Sequence, residues 1–416
     1  MVHRARLASC RIRHVQLDLS SIDWASLTHA YGSAEDVPDL IGALRSSDAD
    51  VRGEAMTELY GNIFHQGSRY EASAYAVPFL LELVADSTTP DRQELIRLLA
   101  SLAVGYGHHH AATGFPIAAM RDTMAQVPDQ TWQSWSQAMK EWYDIVSTGQ
   151  RQPIPLSKPE RRALETRHEL AAYDAVRASV PVLLDCLDDL DAEVAGEAIH
   201  ALAWFPEEIT SIRPRLLAIT SDNQQPEQIA GAALVAVGLL GGTLTQPVSD
   251  LFDTHLRTTD PHLRWSAAVA WAHLALEDVP DTAVAELRGW AAIRGQDTGQ
   301  TVWGARRGDL ALTMLDRVAR PVAEAVRAEH VAAVLAKQPT SNWHNHFNVV
   351  LNRAFPRMEP DHGRTFQELA PAQRAVVIWL TENPHVFGTS GPEGPLRQHG
   401  LPTTYAALRT YAELDE

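Results

Sequence analysis

The chain has 416 residues, 45% hydrophobic and 7% aromatic, which is ample core material for several compact units or one elongated array and too apolar for a disordered chain. Asp and Glu number 52 against 35 Lys and Arg, a formal net charge of −17. That balance argues against nucleic acid as a partner, because such binding rests on cations displacing counterions from a polyanion.

Residues 1–23 read as an N-terminal extension in which Arg4, Arg6, Arg11 and Arg13 occur without the apolar segment of a signal peptide. Residues 24–104 hold the first repeats. From Pro38, apolar residues follow at Leu40, Ile41 and Leu44, an aspartate at Asp48, then Val51, Ala55 and Leu59. Side chains three and four apart share a helix face, so these positions predict two short helices, each with an apolar stripe. Ser46, Ser47 and Asp48 form the turn, with Asp48 capping the second helix. A proline is tolerated in a first helical turn, so Pro38 opens the hairpin; the alternative is that each such proline kinks a helix begun earlier. Val77-Pro78, followed by Phe79, Leu80, Leu81 and Val84, reads as the next opening. Between them, Asn62, His65, Gln66, Gly67 and Tyr70 form a polar interruption, either a connecting loop or a binding loop.

Residues 105–175 depart from the repeat as a Trp-rich helical insertion. They open with Gly105-Tyr106-Gly107-His108-His109-His110. Trp132, Trp135, Met139 and Trp142 follow at steps of three, four and three, which makes one helical stripe. Arg151 to Pro159 is a proline-rich loop, and Ser157 to Ala178 a helix whose Ser157 and Glu160 have the spacing of a capping box.

Residues 176–320 resume the pattern. From Pro181 the same offsets carry Leu183, Leu184, Leu187, Asp191, Val194, Ala198 and Leu202, so eight positions agree with the first copy without a gap. Pro214, Pro247 and Pro280 continue at a step of 33 residues, with the later apolar pattern (Leu263, Ala267, Trp271) displaced. Residues 321–416 stay helical as a C-terminal cap. They hold a polar and aromatic segment with Trp343, His344 and His346, a helix from Pro371 to Glu382, a loop from Gly388 to Gly400, and a last helix from Tyr405 to Leu414.

One hairpin cannot bury its apolar face alone, so the expected fold is all-α, an α-solenoid of five to seven stacked helical hairpins with a helical insertion. Proline, paired leucines, an Asp in the turn, then Val-Arg and a small residue resembles the HEAT repeat, close to its bacterial phycobilisome-lyase-like variety, best at Asp48, Val51, Arg52 and Ala55. The resemblance implies a ladder of Asp–Arg contacts between repeats, interrupted where Ala195 stands in the arginine position. It implies an architecture and no single activity, because the family includes scaffolds, lyases, hydroxylases and glycosylases.

The first functional reading is a scaffold or adaptor that binds, and regulates or neutralises, another protein; the acidic balance suits a basic partner. Candidate contacts are Trp132, Trp135 and Trp142, either insertion core or an aromatic hot spot, together with His65, Gln66 and Tyr70, and Trp343 with His344. The second reading is a solenoid enzyme. A glycosylase acting on alkylated bases needs a basic groove, for which Arg306-Arg307 near Trp303 and Asp309 is the candidate cluster, yet the chain has only the lysines Lys140, Lys158 and Lys337. A metal-dependent enzyme would draw on His108, His109 and His110 with His344 and His346, or on the His168-Glu169 pair. Adjacent histidines on a helix diverge, so at most two share an ion. No phosphate loop, nucleophile elbow or metalloprotease motif occurs in the sequence, and no cofactor or metal is expected. Two distant cysteines, Cys10 and Cys186, fit a reducing compartment, and the longest notable apolar run, Gly231 to Gly242, falls short of the ~20 residues of a membrane span, so a cytoplasmic location without a membrane partner is expected.

Overall fold

A computed structural model describes residues 17–222, 224–293, 301, 303–336, 350, 351, 354, 355, 364–387 and 392–413. The fold is all-α, built from stacked helical hairpins, and falls into two compact units. The first comprises Met1–Gly242 with Val302–Gly304, and the second Thr243–Thr301 with Ala305–Glu416. Among the described residues the strands are two small antiparallel hairpins, β1 (Thr28–His29) with β2 (Gly32–Ser33) and β3 (Phe64–His65) with β4 (Ser68–Arg69). No helix of the described residues is long and apolar enough to cross a membrane.

The first unit contains α1 (Val37–Ala43), α2 (Ala49–Asn62), α3 (Glu71–Ala85), α4 (Arg92–Val104), α5 (Ile117–Ala125), α6 (Asp129–Ser147) and α7 (Lys158–Arg177). It continues through α8 (Val180–Asp185), α9 (Ala192–Leu202), α10 (Ile209–Ser221) and α11 (Glu227–Leu240). α1 packs on α2, α3 on α4, α8 on α9 and α10 on α11, while α4 packs on α9 and α9 on α11. α7 lies against both α3 and α4. Every residue of α9 from Val194 to Leu202 is buried, as is every residue of α11 from Ile229 to Leu240. A helix buried on all sides needs neighbours on all sides, and in α9 the small residues Ala195, Gly196, Ala198 and Ala201 let them approach, while its buried Glu197 is met by Arg97 and His200.

The two aligned copies keep their caps. Asp48 Oδ1 accepts the Asp50 N–H at 2.9 Å, and Asp191 Oδ1 accepts the Glu193 N–H at 2.9 Å, each satisfying an orphan donor of a helix start. Their valines differ: Val194 is 2% exposed and Val51 40% exposed. α9 packs against α4, α8 and α11, whereas α2 packs mainly on α1, so Val51 is not the core position that its periodicity suggests. The prolines also divide. Pro38 and Pro181 sit in first helical turns, as expected of hairpin openings. Pro78 and Pro214 lie inside α3 and α10, so there the helix began earlier and the Val77-Pro78 step opens nothing.

Polar contacts join successive hairpins through other arginines than the one missing at Ala195. Arg52 Nε meets Asp91 Oδ2 at 2.7 Å while its Nη1 donates to the Ser46 carbonyl at 3.0 Å. Arg92 pairs with Asp189, and Arg97 with Glu197.

The second unit contains α12 (Gln246–Leu256), α13 (Pro261–Leu274), α14 (Asp281–Ala292), α15 (Arg307–Val318), α16 (Arg320–Leu335), α17 (Pro371–Glu382), α18 (Glu393–Gln398) and α19 (Tyr405–Tyr411). Each helix from α12 to α17 packs on the next. The turn device of α2 recurs at α13. Asp260 caps Leu263 N–H at 2.7 Å, and Arg264 donates to the Thr258 carbonyl at 3.1 Å and to Glu286 at 3.0 Å. α17 has the bounds read from the sequence, and α19 begins where the last helix was expected. The Gly- and Pro-rich stretch expected as a loop instead contains α18, whose Leu396 is fully buried in the C-terminal core with Val376, Leu380 and Leu408.

Candidate functional site

α6 carries the tryptophan stripe, and its two halves have different surroundings. Trp132 is 3% exposed, packs with Leu156 and Leu164, and donates its indole N–H to the Val127 carbonyl at 3.1 Å. Trp135 meets it edge-on at 5.2 Å, and the Arg167 guanidinium covers it at 5.5 Å from the ring centroid. This half is the local core. Trp142, two to three turns further along, is only half-buried; it donates to the Gln152 carbonyl at 3.1 Å and stands edge-on to Tyr143 at 5.0 Å.

The polar interruption after α2 is a β-hairpin rather than a loop. Gln66 and Gly67 have φ of 50° and 88°, the left-handed pair that matches strand twist in a two-residue turn. A Cβ at Gly67 would fall 3.0 Å from the Tyr106 ring, so glycine answers both backbone and packing. The hairpin delivers Tyr70 to the start of α3. There the buried Ser73 hydroxyl accepts the Tyr70 N–H at 2.7 Å and donates to the Ile63 carbonyl at 2.7 Å, which fixes the entry of the chain.

Tyr70 and Trp142 line one pocket of about 240 Å³, with Tyr143, Met139, Lys140 and His168. Its charges are mostly answered from within. Lys140 Nζ lies 3.1 Å from Glu71, and Arg161 donates to the Leu156 carbonyl at 3.1 Å. Arg69, 5% exposed, donates to the Gly67 carbonyl and lies 3.8 Å from Glu169, while its Nε makes no hydrogen bond to the protein. Burial lowers the pKa of Arg69. Burial, with Tyr143 and Glu165 nearby, pushes the Tyr70 phenol up to about 12, and burial and Glu165 raise Tyr143. Burial, reinforced by Arg167 and Lys140, brings His168 down to about 4. Both phenols and the imidazole are therefore uncharged near neutrality, and the pocket offers uncharged aromatic surface inside a rim of paired charges. That is the chemistry of holding a side chain or small molecule.

The other sequence candidates fall elsewhere. His65 is 3.3 Å from the Tyr31 hydroxyl and 3.2 Å from the Gly61 carbonyl, and neither it nor the exposed Gln66 lines the pocket. Trp343, His344 and His346 lie outside the described residues. His108 and His109 belong to a single 3-10 turn with ring centroids 4.2 Å apart, and burial and neighbouring positive charge bring His110 down to about 4. Among the described residues no group of three or more His, Cys, Asp or Glu is placed to hold a metal. His168 and Glu169 serve different neighbours, since Glu169 accepts from Arg162 at 3.1 Å and faces Arg69. Trp303 packs beside His200 at 5.9 Å, and the Arg307 guanidinium covers Trp265 at 5.7 Å. Sequence reading missed Arg69 and Glu71 as pocket residues. The nearest signal was their place at the end of the hairpin and the start of α3, and nothing local pairs Glu71 with Lys140.

The fold and the pocket define a helical-repeat protein with a concave site of side-chain size. No family model matches the chain, and no curated protein matches it. Among solved structures the chain is similar to an engineered protein at 19% identity, covering 91% of this chain and 97% of that one with a TM-score of 0.27. It is similar to a second engineered protein at 19% identity, covering 75% and 93%, with a TM-score of 0.25.

Proposed function

We propose that this chain is a cytoplasmic, non-catalytic helical-repeat scaffold of the HEAT type that docks a partner protein, and that the pocket between Tyr70 and Trp142 receives one anchoring side chain of that partner. The observation that carries the reading is convergence. Tyr70 follows the β3–β4 hairpin at the start of α3 and Trp142 belongs to α6, and both line the same pocket of about 240 Å³. Interface energy concentrates where Trp and Tyr form a pocket that excludes water, ringed by contacts of little individual weight. The Lys140–Glu71 pair and the Arg161–Leu156 bond supply such a ring already satisfied. The net charge of −17 favours a partner of basic surface, by raising its rate of encounter more than its affinity.

The test is the affinity of the protein captured by the wild-type chain from its native lysate. Replacing both anchors, Trp142→Ala with Tyr70→Ala, should weaken that complex by about tenfold or more, at an unchanged circular dichroism spectrum. An unchanged affinity in a folded double variant removes the pocket from the interface.

A further inference from the structure

A cavity of about 630 Å³ lies within the second unit, where the start of α17 meets α16. That volume falls in the range of about 300–1,000 Å³ usual for small-molecule sites. Guanidinium and carboxylate groups share its wall, and the carboxylates are answered. Asp316 pairs with Arg327, and Glu324 lies 3.3 Å from Arg320. Glu368 Oε2 accepts the Thr365 N–H at 2.7 Å and the Thr365 hydroxyl at 2.9 Å. Donors are left over. Among the described residues the half-buried Arg374 guanidinium is met by the Gln367 carbonyl alone, at 3.5 Å from Nη1, longer than an ordinary N–H···O bond.

Gln373 supplies a second open donor. The residue is 8% exposed, and its Oε1 accepts the Ala370 N–H at 2.9 Å, which identifies the other amide atom as nitrogen. That Nε2 donates to nothing among the described residues, yet it is not one of the side-chain atoms sealed from solvent, and Gln373 lines the cavity. The start of α17 is on the same wall. Pro371 has no N–H, and Ala370 before it has no side-chain acceptor to offer as a cap. The first backbone bond runs from the Arg374 N–H to the Ala370 carbonyl, at 2.9 Å. The Ala372 and Gln373 N–H groups therefore have no partner within the helix, and the positive end of its dipole adds to the donors beside it.

An apolar occupant would leave these donors unanswered, and a cation would meet the guanidinium with like charge. A phosphate monoester presents three strong acceptor oxygens, enough to serve a guanidinium, an amide and a helix start together, where a carboxylate has two. Phe355 and Leu401 add apolar wall for the organic part of such a molecule. We infer that this cavity binds a small organic phosphate, with Gln373 Nε2 and the Arg374 guanidinium donating to the phosphate oxygens beside the start of α17. The site belongs to the other unit from the Tyr70–Trp142 pocket and stands whether or not a partner docks there.

The experiment is isothermal titration calorimetry of the full chain in chloride buffer, with phenyl phosphate, inorganic phosphate and succinate as probes. The expected result is saturable one-to-one binding of phenyl phosphate, tighter than inorganic phosphate and tighter than succinate. Gln373→Glu is the decisive variant. Glutamate there still accepts the Ala370 N–H, as in a capping box, so the helix start is kept while the donor gives way to a negative charge. It should weaken phenyl phosphate by about tenfold or more at an unchanged circular dichroism spectrum. Arg374→Gln removes a charge and no cap, should weaken binding by about tenfold, and decides alone if the first variant fails to fold. Four results overturn the assignment: no saturable binding of either phosphate probe; inorganic phosphate bound as tightly as phenyl phosphate, which means an adventitious ion only; succinate bound as tightly as phenyl phosphate, which makes the site one for carboxylates; or undiminished binding in folded Gln373→Glu or Arg374→Gln, which leaves that side chain a structural role alone.

Discussion

α9 and α6 belong to the same unit and treat their side chains in opposite ways. α9 buries nine consecutive residues, Val194 to Leu202, largely by keeping them small, so that α4, α8 and α11 can all reach it. α6 runs for 19 residues with three tryptophans and a tyrosine, yet of these four only Trp132 is buried. Trp135 packs on the buried Trp132, whereas Trp142 and Tyr143, further along the helix, stay half-covered and line a pocket. The difference separates residues that hold the fold from residues that line a pocket.

The largest expected effect breaks the packed side of this comparison. Leu202→Ala, at a fully buried position, should cost about 2–5 kcal/mol in urea unfolding, whereas Trp142→Ala should cost about 1 kcal/mol or less. Equal losses would make Trp142 a core residue and erase the distinction.

Acid should sharpen the same contrast from within the pocket. His168 titrates near 4 in the folded chain against an ordinary value of 6.5. Between those values the unfolded chain binds a proton that the folded chain refuses, so protonation favours unfolding. The contribution of His168 to stability is complete above pH 6.5, falls through the window down to about 4, and levels off below it. His168→Gln should therefore flatten the decline of the urea midpoint between pH 7 and pH 4. An identical decline in the variant would contradict the assigned shift.

The smallest effects concern the caps. Asp48→Ala and Asp191→Ala should each cost about 1 kcal/mol, because each removes one side-chain acceptor from a helix start, irrespective of how deeply the helix behind it is packed. A cost confined to Asp191 would mean that the α2 cap is satisfied equally well by water.

These cases also show what was legible in the amino-acid sequence. Asp48 and Asp191 could be read because a cap is a local device, decided within three residues. The Ser157–Glu160 box was legible for the same reason, with Ser157 N–H bonded to Glu160 at 2.7 Å. Val51 misled because periodicity reports a face and not whether a neighbour covers it. Pro78 misled because a proline in a first turn and one inside a helix share the same offsets to later leucines. The tryptophan stripe was visible, but its division into a covered half and a lining half depends on where Leu156, Leu164 and Tyr70 arrive. The Tyr70–Trp142 meeting and the Glu71–Lys140 pair join segments about seventy residues apart, and no pattern within either segment records the other. Glu197 and His200 stand at helical spacing and could have been paired by eye.

The central claim, that the partner docks at the Tyr70–Trp142 pocket, is tested most directly by photocrosslinking from two exposed apolar positions. Ile154 is 42% exposed and lines the pocket, while Leu190 is fully exposed in the turn before α9. With a photoreactive benzoylphenylalanine placed at one position or the other, the captured partner should crosslink from position 154 and not from position 190. Crosslinking from 190 alone, or equally from both, would contradict the account.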